Sequence, residues 1–232
     1  MSPWFALIAA VPLAFTTGVR ASDATGPVVI ELFTSQGCNS CPPADALLGE
    51  LSRRPDVLAL ALHVTYWNDL GWADRFAQPQ FDQRQRGYAQ QLHLKSVYTP
   101  QMLVNGSRDV LGSQRSAVER ALHDAKRPAL IEVRQQGDNL VLELPKVDAP
   151  CDCVLTLFGV QPNARTPVGR GENAGRMLEE FQVARSMRVL GDWNGERREL
   201  QAATDKRPTE VSRWVVLAQH RSTGRVVAVG RL

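Results

Sequence analysis

Cys38 and Cys41, with two residues between them, follow closely on the apolar run Val28-Val29-Ile30-Glu31-Leu32-Phe33 and open a helical pattern at Pro42-Pro43. A strand that hands two thiols to the first turn of a helix allows few folds and points to redox chemistry. The unpaired N–H groups and the positive dipole end of such a helix start stabilise a thiolate, the attacking species in disulfide exchange. Cys38 is therefore the expected nucleophile. Cys41, one turn further on, is close enough to attack a mixed disulfide on Cys38 and release the bound partner. Taken alone, the pair is also compatible with a static disulfide or half of a metal site.

Residues 1–21 read as an export signal. Trp4 to Phe15 is mostly apolar and too short to span a bilayer, and Val19-Arg20-Ala21 offers small residues before a cut after Ala21. Met1-Ser2-Pro3 supplies no Lys or Arg, so only the terminal amine is positive there. The expected location is periplasmic or secreted, with no membrane contact after cleavage. The net charge of +3 comes from interspersed basic and acidic residues. Without a long basic run or an aromatic-interleaved patch, a dedicated nucleic-acid partner is excluded. The four cysteines form two close pairs, Cys38/Cys41 and Cys151/Cys153. That usage suits an oxidising compartment rather than a small disulfide-stapled scaffold.

The pattern predicts a strand at Val28 to Phe33, a helix at Ala44 to Leu51 and a strand at Val57 to Val64, an order that implies a parallel pair with a crossover. A Trp-rich loop and a helix from Pro79 to Leu92 follow. Thr99-Pro100 then leads into Gln101 to Val104, Asn105-Gly106 marks a hairpin turn, and Val110-Leu111-Gly112 pairs back. Ser113 is the expected cap of a closing helix to Ala125. The pattern changes at Lys126-Arg127-Pro128. Beyond it, Leu130 to Val133, Leu140 to Leu144, Val154 to Val160, Met177 to Leu190, Trp214 to Leu217 and Val226 to Val229 read as strands. The expected architecture is an α/β domain over 26–127 followed by an all-β, sandwich-like domain over 128–232. Gly169-x-Gly171-x-x-x-Gly175 misses the spacing of a phosphate-binding loop and precedes strand-like sequence.

The element order over 26–127, with Cys-x-x-Cys after the first strand and Thr99-Pro100 before a hairpin, resembles the thioredoxin fold. That resemblance implies a cis proline beside the cysteines, exposing backbone with which an extended substrate segment pairs as an added strand. At a finer level, Glu31-Leu32-Phe33-Thr34-Ser35-Gln36-Gly37-Cys38, Cys41-Pro42-Pro43-Ala44-Asp45, His63-Val64 with Tyr66-Trp67 and Leu70-Gly71-Trp72, and Val97-Tyr98-Thr99-Pro100-Gln101-Met102 resemble a family of exported thioredoxin-like proteins of unknown function. The likeness extends to Gly169-Arg170-Gly171-Glu172-Asn173 and so over nearly the whole mature chain. Thr65 and Asn68 stand where that family often carries acidic residues, and Cys151 and Cys153 are peculiar to this chain.

Glu31 is a candidate buried carboxylate behind the thiols, accepting a proton from Cys41, or else a strand residue whose side chain escapes to an edge. Asp45 reads as a partner of the helix dipole, and His63 as a hydrogen-bonded structural residue. Tyr66, Trp67 and Trp72 wall one side of the site or cover the sheet. Cys38, Cys41, His63 and Met102 also form a soft donor set suited to Cu(I). Cys151 and Cys153 share a strand face and are open to a local disulfide, free thiols or exchange with the first pair. The expected activity is thiol–disulfide oxidoreduction in either direction, without cofactor or resident metal, on protein or small-molecule thiols and disulfides. Cys38, Cys41 and Glu31 are its catalytic candidates; Thr99, Pro100, Trp67 and Trp72 are its substrate-binding candidates. A copper-binding chaperone and a redox-silent interaction protein on the same fold are the alternatives.

Overall fold

The computed structural model describes residues 24–147, 151–204 and 209–232. The expected export signal lies outside them. Strand β1 (Val28–Thr34), helix α1 (Pro42–Leu51) and strand β2 (Val57–His63) form the first unit, with β1 and β2 parallel from Val28↔Val57 to Thr34↔His63. All seven residues of each strand are buried, which is why both read as continuous rather than alternating runs. Helix α1 starts at Pro42, two residues before the apolar spacing begins, because a proline in the first turn loses no intrahelical hydrogen bond.

Helix α2 (Pro79–Gln91) leads to the antiparallel strands β3 (Gln101–Val104) and β4 (Arg108–Leu111), followed by α3 (Arg115–Asp124). Ser113 does not cap α3. Gln114 holds that position, its N–H bonded to the Leu111 carbonyl at 2.9 Å, so the turn out of β4 continues for two residues before the helix begins.

The rest of the described chain is strand: β5 (Ala129–Leu130), β6 (Glu132–Gln136), β7 (Asn139–Leu144), β8 (Cys153–Pro167), β9 (Met177–Trp193), β10 (Arg198–Ala203), β11 (Arg213–His220) and β12 (Val226–Arg231). One sheet of nine strands runs in the order β4-β3-β1-β2-β9-β8-β11-β12-β5, and a second of three in the order β10-β7-β6. The larger sheet crosses the composition change at residue 128, joined where Ala61 of β2 pairs with Val183 of β9.

Alternation along β1 sends Ile30 and Leu32 into a core with Leu47, Leu48 and Met102 beneath α1 and α3. Val29 and Phe33 enter the opposite core, with Phe81 and Tyr88 of α2 and with Phe158, Leu217 and Val229 from beyond residue 128. A third core joins Leu140 and Leu142 of the small sheet to Leu155, Trp193 and Trp214 of the large one. The long β8–β9 hairpin departs from an extended course at Gln182, where φ is +54°. Beside that bend Phe181 presses on α1 so closely that a Cβ on Gly49 would stand 2.5 Å from its ring.

Candidate functional site

The segment between β1 and α1 is wound into a tight turn. Gly37 N–H donates to Ser35 Oγ and Cys38 N–H to the Ser35 carbonyl, each at 3.1 Å. Cys38 and Cys41 are joined as a disulfide with Cα atoms 5.5 Å apart, and the Cys41 carbonyl accepts the N–H groups of Ala44 and Asp45 at the helix start. Asn39 and Ser40 face solvent, yet both cysteines are 0% exposed. Cys38 Sγ and Ser40 Oγ are 3.3 Å apart.

The neighbouring strands bring most of the expected binding residues to this end of the sheet. Phe33 pairs with Gln101, so Thr99 and Pro100 stand beside the end of β1; their peptide bond is cis. Trp67 donates from Nε1 to Thr99 Oγ1 at 2.9 Å and packs where a side chain on Gly37 would lie. Trp72 donates from Nε1 to Gln36 Oε1 at 2.9 Å. Thr99, Pro100, Trp67 and Trp72 therefore gather around the turn that carries Cys38.

Glu31 is held elsewhere. It points into the core opposite α1, where Arg84 donates to its two oxygens at 2.5 and 2.9 Å and the Tyr88 hydroxyl donates at 2.5 Å. Register explains the separation: an odd step along β1 puts Glu31 on the face of Val29 and Phe33, away from the helix that starts at the disulfide.

A different group of ionisable side chains lies near the cysteines. Asp45 sits one turn beyond Cys41 and accepts a hydrogen bond from Thr34 Oγ1 at 2.8 Å. Burial pushes its carboxyl up to about 7, while the His63 charge and the Thr34 hydroxyl pull the other way. His63, at the end of β2, contacts Asp74 Oδ2 through Nδ1 at 2.7 Å, with both side chains almost wholly buried. Burial works against the charged imidazole, but Asp74, Asp45 and Glu180 outweigh it and raise its pKa. Burial likewise opposes the Asp74 carboxylate, and His63 with the N–H groups of Gln36 and Phe76 outweighs that to lower its pKa. Glu180 is raised by burial, tempered by the Gln36 amide that donates to it at 2.6 Å.

The β8–β9 hairpin completes the site. At its tip Asn173 Nδ2 donates to the carbonyls of Gln36 and Cys38 at 2.9 and 3.0 Å, and Glu172 Oε2 accepts the Asn39 N–H at 3.2 Å. Nothing local in the sequence marks a role for Glu172, Asn173, Asp74 or Glu180, and the position of Asp45 in the first helical turn marks it only as a partner of the dipole. The Gly169-Arg170-Gly171-Glu172-Asn173 stretch was visible as a motif, but nothing local showed which surface it would meet. Among the described residues no cluster of three or more His, Cys, Asp or Glu is arranged to hold a metal ion. His63 is instead turned to Asp74, and Met102 is buried beneath α1. Cys151 and Cys153 are bonded to each other at the far end of β8, with Cys153 opposite Trp193 and His220. A strand of 15 residues, roughly 45 Å of extended backbone, runs from there towards the tip.

Fold and site together define a mixed-sheet protein with a buried disulfide between a strand end and a helix start. The chain belongs to a family described as "Protein of unknown function (DUF1223)", whose pattern it matches over residues 29–219. Among solved structures it is similar to protein AGR_C_4864 from Agrobacterium tumefaciens, at 26% identity and a TM-score of 0.74 over 90% of this chain and 94% of that one. It is also similar in fold to HBP35 of Porphyromonas gingivalis, at 16% identity and a TM-score of 0.61 over 91% of this chain and 76% of that one. No curated protein matches it.

Proposed function

We propose that this protein is an exported, thioredoxin-like thiol–disulfide oxidoreductase acting through Cys38 and Cys41. The observation that carries this reading is the disulfide at the junction of β1 and α1, flanked just ahead of the adjoining strand β3 by Thr99-Pro100. In the oxidising direction a substrate thiolate attacks Cys38 sulfur, the bond to Cys41 breaks, and Cys41 leaves as a thiolate that takes a proton. A second substrate thiol then displaces Cys38, so two electrons pass from two thiols to the protein and one substrate disulfide is formed. The reducing direction runs through the same mixed disulfide in reverse. Asp45, with its carboxyl near 7 and one helical turn from Cys41, exchanges the proton that this thiol gains or loses. Trp67, Trp72, Thr99 and Pro100 form the wall against which the substrate segment lies.

Complete burial of both cysteines supports a second reading, a redox-silent interaction protein with a structural disulfide. Redox titration of the mature protein, quantified on the peptide that bears Cys38 and Cys41, separates the two. A two-electron equilibrium between roughly −300 and −100 mV, lost in Cys38→Ala, supports the oxidoreductase. A pair that never cycles, or a disulfide far more stable than that window, leaves the structural role.

A further inference from the structure

Disulfide exchange needs a thiolate to approach along the S–S axis, yet neither cysteine exposes any surface. Something must move before chemistry, and hydrogen bonding identifies what. The β8–β9 tip is an internally closed unit: Val168 N–H donates to the Arg176 carbonyl at 2.9 Å and Gly175 N–H to the Val168 carbonyl at 2.8 Å. Gly171 and Gly175, at φ +75° and +79°, turn the chain within it. That unit meets the cysteine turn through Asn173, which is 1% exposed and uses its whole amide. Its Nδ2 holds the carbonyls of Gln36 and Cys38, while its Oδ1 accepts from Arg176 at 3.0 Å. Glu172 takes the Asn39 N–H, one of the backbone donors beside Cys38. A Cβ on Gly171 would stand 3.2 Å from Trp72 Cβ, so the tip also packs on the tryptophan that holds Gln36.

We propose that the β8–β9 tip is the gate that admits substrate to the disulfide, with Asn173 as its latch and Glu172 coupling the latch to charge on Cys38. The gate rests on the redox reading for its purpose, but its existence is tested separately. When a dithiol such as dithiothreitol reduces the pair, its two thiols supply two electrons and close to a cyclic disulfide. Of the two protons the dithiol gives up, one goes to Cys41 and one to solvent, and Cys38 is left as a thiolate. That negative charge develops one residue from the Asn39 N–H that Glu172 accepts, so the thiolate and the carboxylate repel across it, reduction loosens the tip and oxidation closes it. Glu172 and Asn173 are positioning residues: they act on access to Cys38 and on its charge, not on the transferred electrons.

The test is the rate at which dithiothreitol reduces Cys38–Cys41 in the folded full-length mature protein, followed by trapping free thiols and quantifying that peptide. Asn173→Asp removes the donors and sets a carboxylate against two carbonyl oxygens, so reduction should accelerate about tenfold or more. Asn173→Ser, which shortens the side chain without adding charge, serves if the aspartate does not fold. Unchanged rates in the folded variant overturn the gate. Glu172→Gln keeps an acceptor for Asn39 and removes the charge, so the midpoint of Cys38 alkylation against pH should fall by about half a unit. An unmoved midpoint overturns the coupling, and loss of packing alone would not produce the shift. A pair that cycles normally at unaltered rates removes the gate alone. A pair opened by the variants that passes no disulfide to any thiol substrate removes the oxidoreductase alone. A pair inert in wild type and variants removes both.

Discussion

At the scale of single residues, the carboxylates of Glu31 and Asp45 have opposite assignments. Glu31 neutralises Arg84 inside a core, and breaking one half of such a buried pair leaves an uncompensated charge. Glu31→Gln should therefore lower unfolding free energy by about 3 kcal/mol in urea denaturation, with the Cys38/Cys41 potential unmoved. A shifted potential with intact stability would return Glu31 to the redox site. Asp45 works the other way. Its folded pKa of about 7 lies above the value of 3.8 for a free carboxyl, so the folded state binds the proton more tightly and loses stability as pH rises from about 4 to 7. Asp45→Asn keeps an acceptor for Thr34 and removes that cost. It should raise stability at pH 8 by roughly 1–2 kcal/mol, after allowance for partial solvent screening, and leave it unchanged at pH 4. Stabilisation of equal size at both values would show that ionisation of Asp45 is not the cause. The placement of Cys38 and Cys41 between β1 and α1 was legible from the sequence, because the strand run before them and the helical pattern after them are local. The carboxylates were not, since strand parity decides for Glu31 and desolvation by distant chain decides for Asp45.

At the scale of elements, legibility followed locality. Helices α1 and α2 and the short strands β1 to β4 lie within a few residues of their periodic patterns, because each buries a face the sequence spells out. Strand β10 is not legible in the sequence, since Arg198-Glu199-Leu200-Gln201 has little apolar alternation and is held by pairing with β7. Nor is the full reach of β8: beyond Val160 it runs on through Gln161, Asn163 and Arg165, polar positions paired with β9. That extension carries the tip to the disulfide, and the packing of Phe181 on Gly49 steadies it. An alanine at position 49 is the better helix former by about 1 kcal/mol, yet its methyl group would overlap the ring. Gly49→Ala should therefore destabilise the protein by roughly 1–2 kcal/mol, as overpacking does. In the Phe181→Ala background the same change should instead be neutral or stabilising. Thermal unfolding of the double-mutant cycle measures the coupling, and additive effects would place the constraint on Gly49 elsewhere.

At the scale of the whole molecule, the composition change at residue 128 marks a change of pattern without marking a gap in the packing. Leu58, Leu60 and Leu62 of β2 share a core with Phe158, Val160, Leu217 and Val229, and β9 hydrogen-bonds to β2 within the same sheet. The Gly26 N–H donates to the Pro128 carbonyl at 2.7 Å, and β5 runs parallel to β12, so the start of the described chain is closed against its end. No periodicity within either half specifies such pairings, because they depend on which edge of one half meets which edge of the other. Removing residues after 127 would strip β2 of a strand neighbour and open that apolar core to water, at about 25 cal/mol per Å² of apolar surface exposed. The two halves should therefore unfold as one cooperative unit. Calorimetry of the protein should give a single transition whose calorimetric and van't Hoff enthalpies agree, with intrinsic tryptophan fluorescence and far-ultraviolet dichroism changing at the same temperature. Trp67 and Trp72 report the cysteine end while Trp193 and Trp214 report the third core, so single-tryptophan variants resolve the two. Coincident midpoints place the gate and its disulfide on a shared rigid frame. Midpoints separated by several degrees would mean that the halves hold their own stability, and that the tip reaches Cys38 from an independently folded partner.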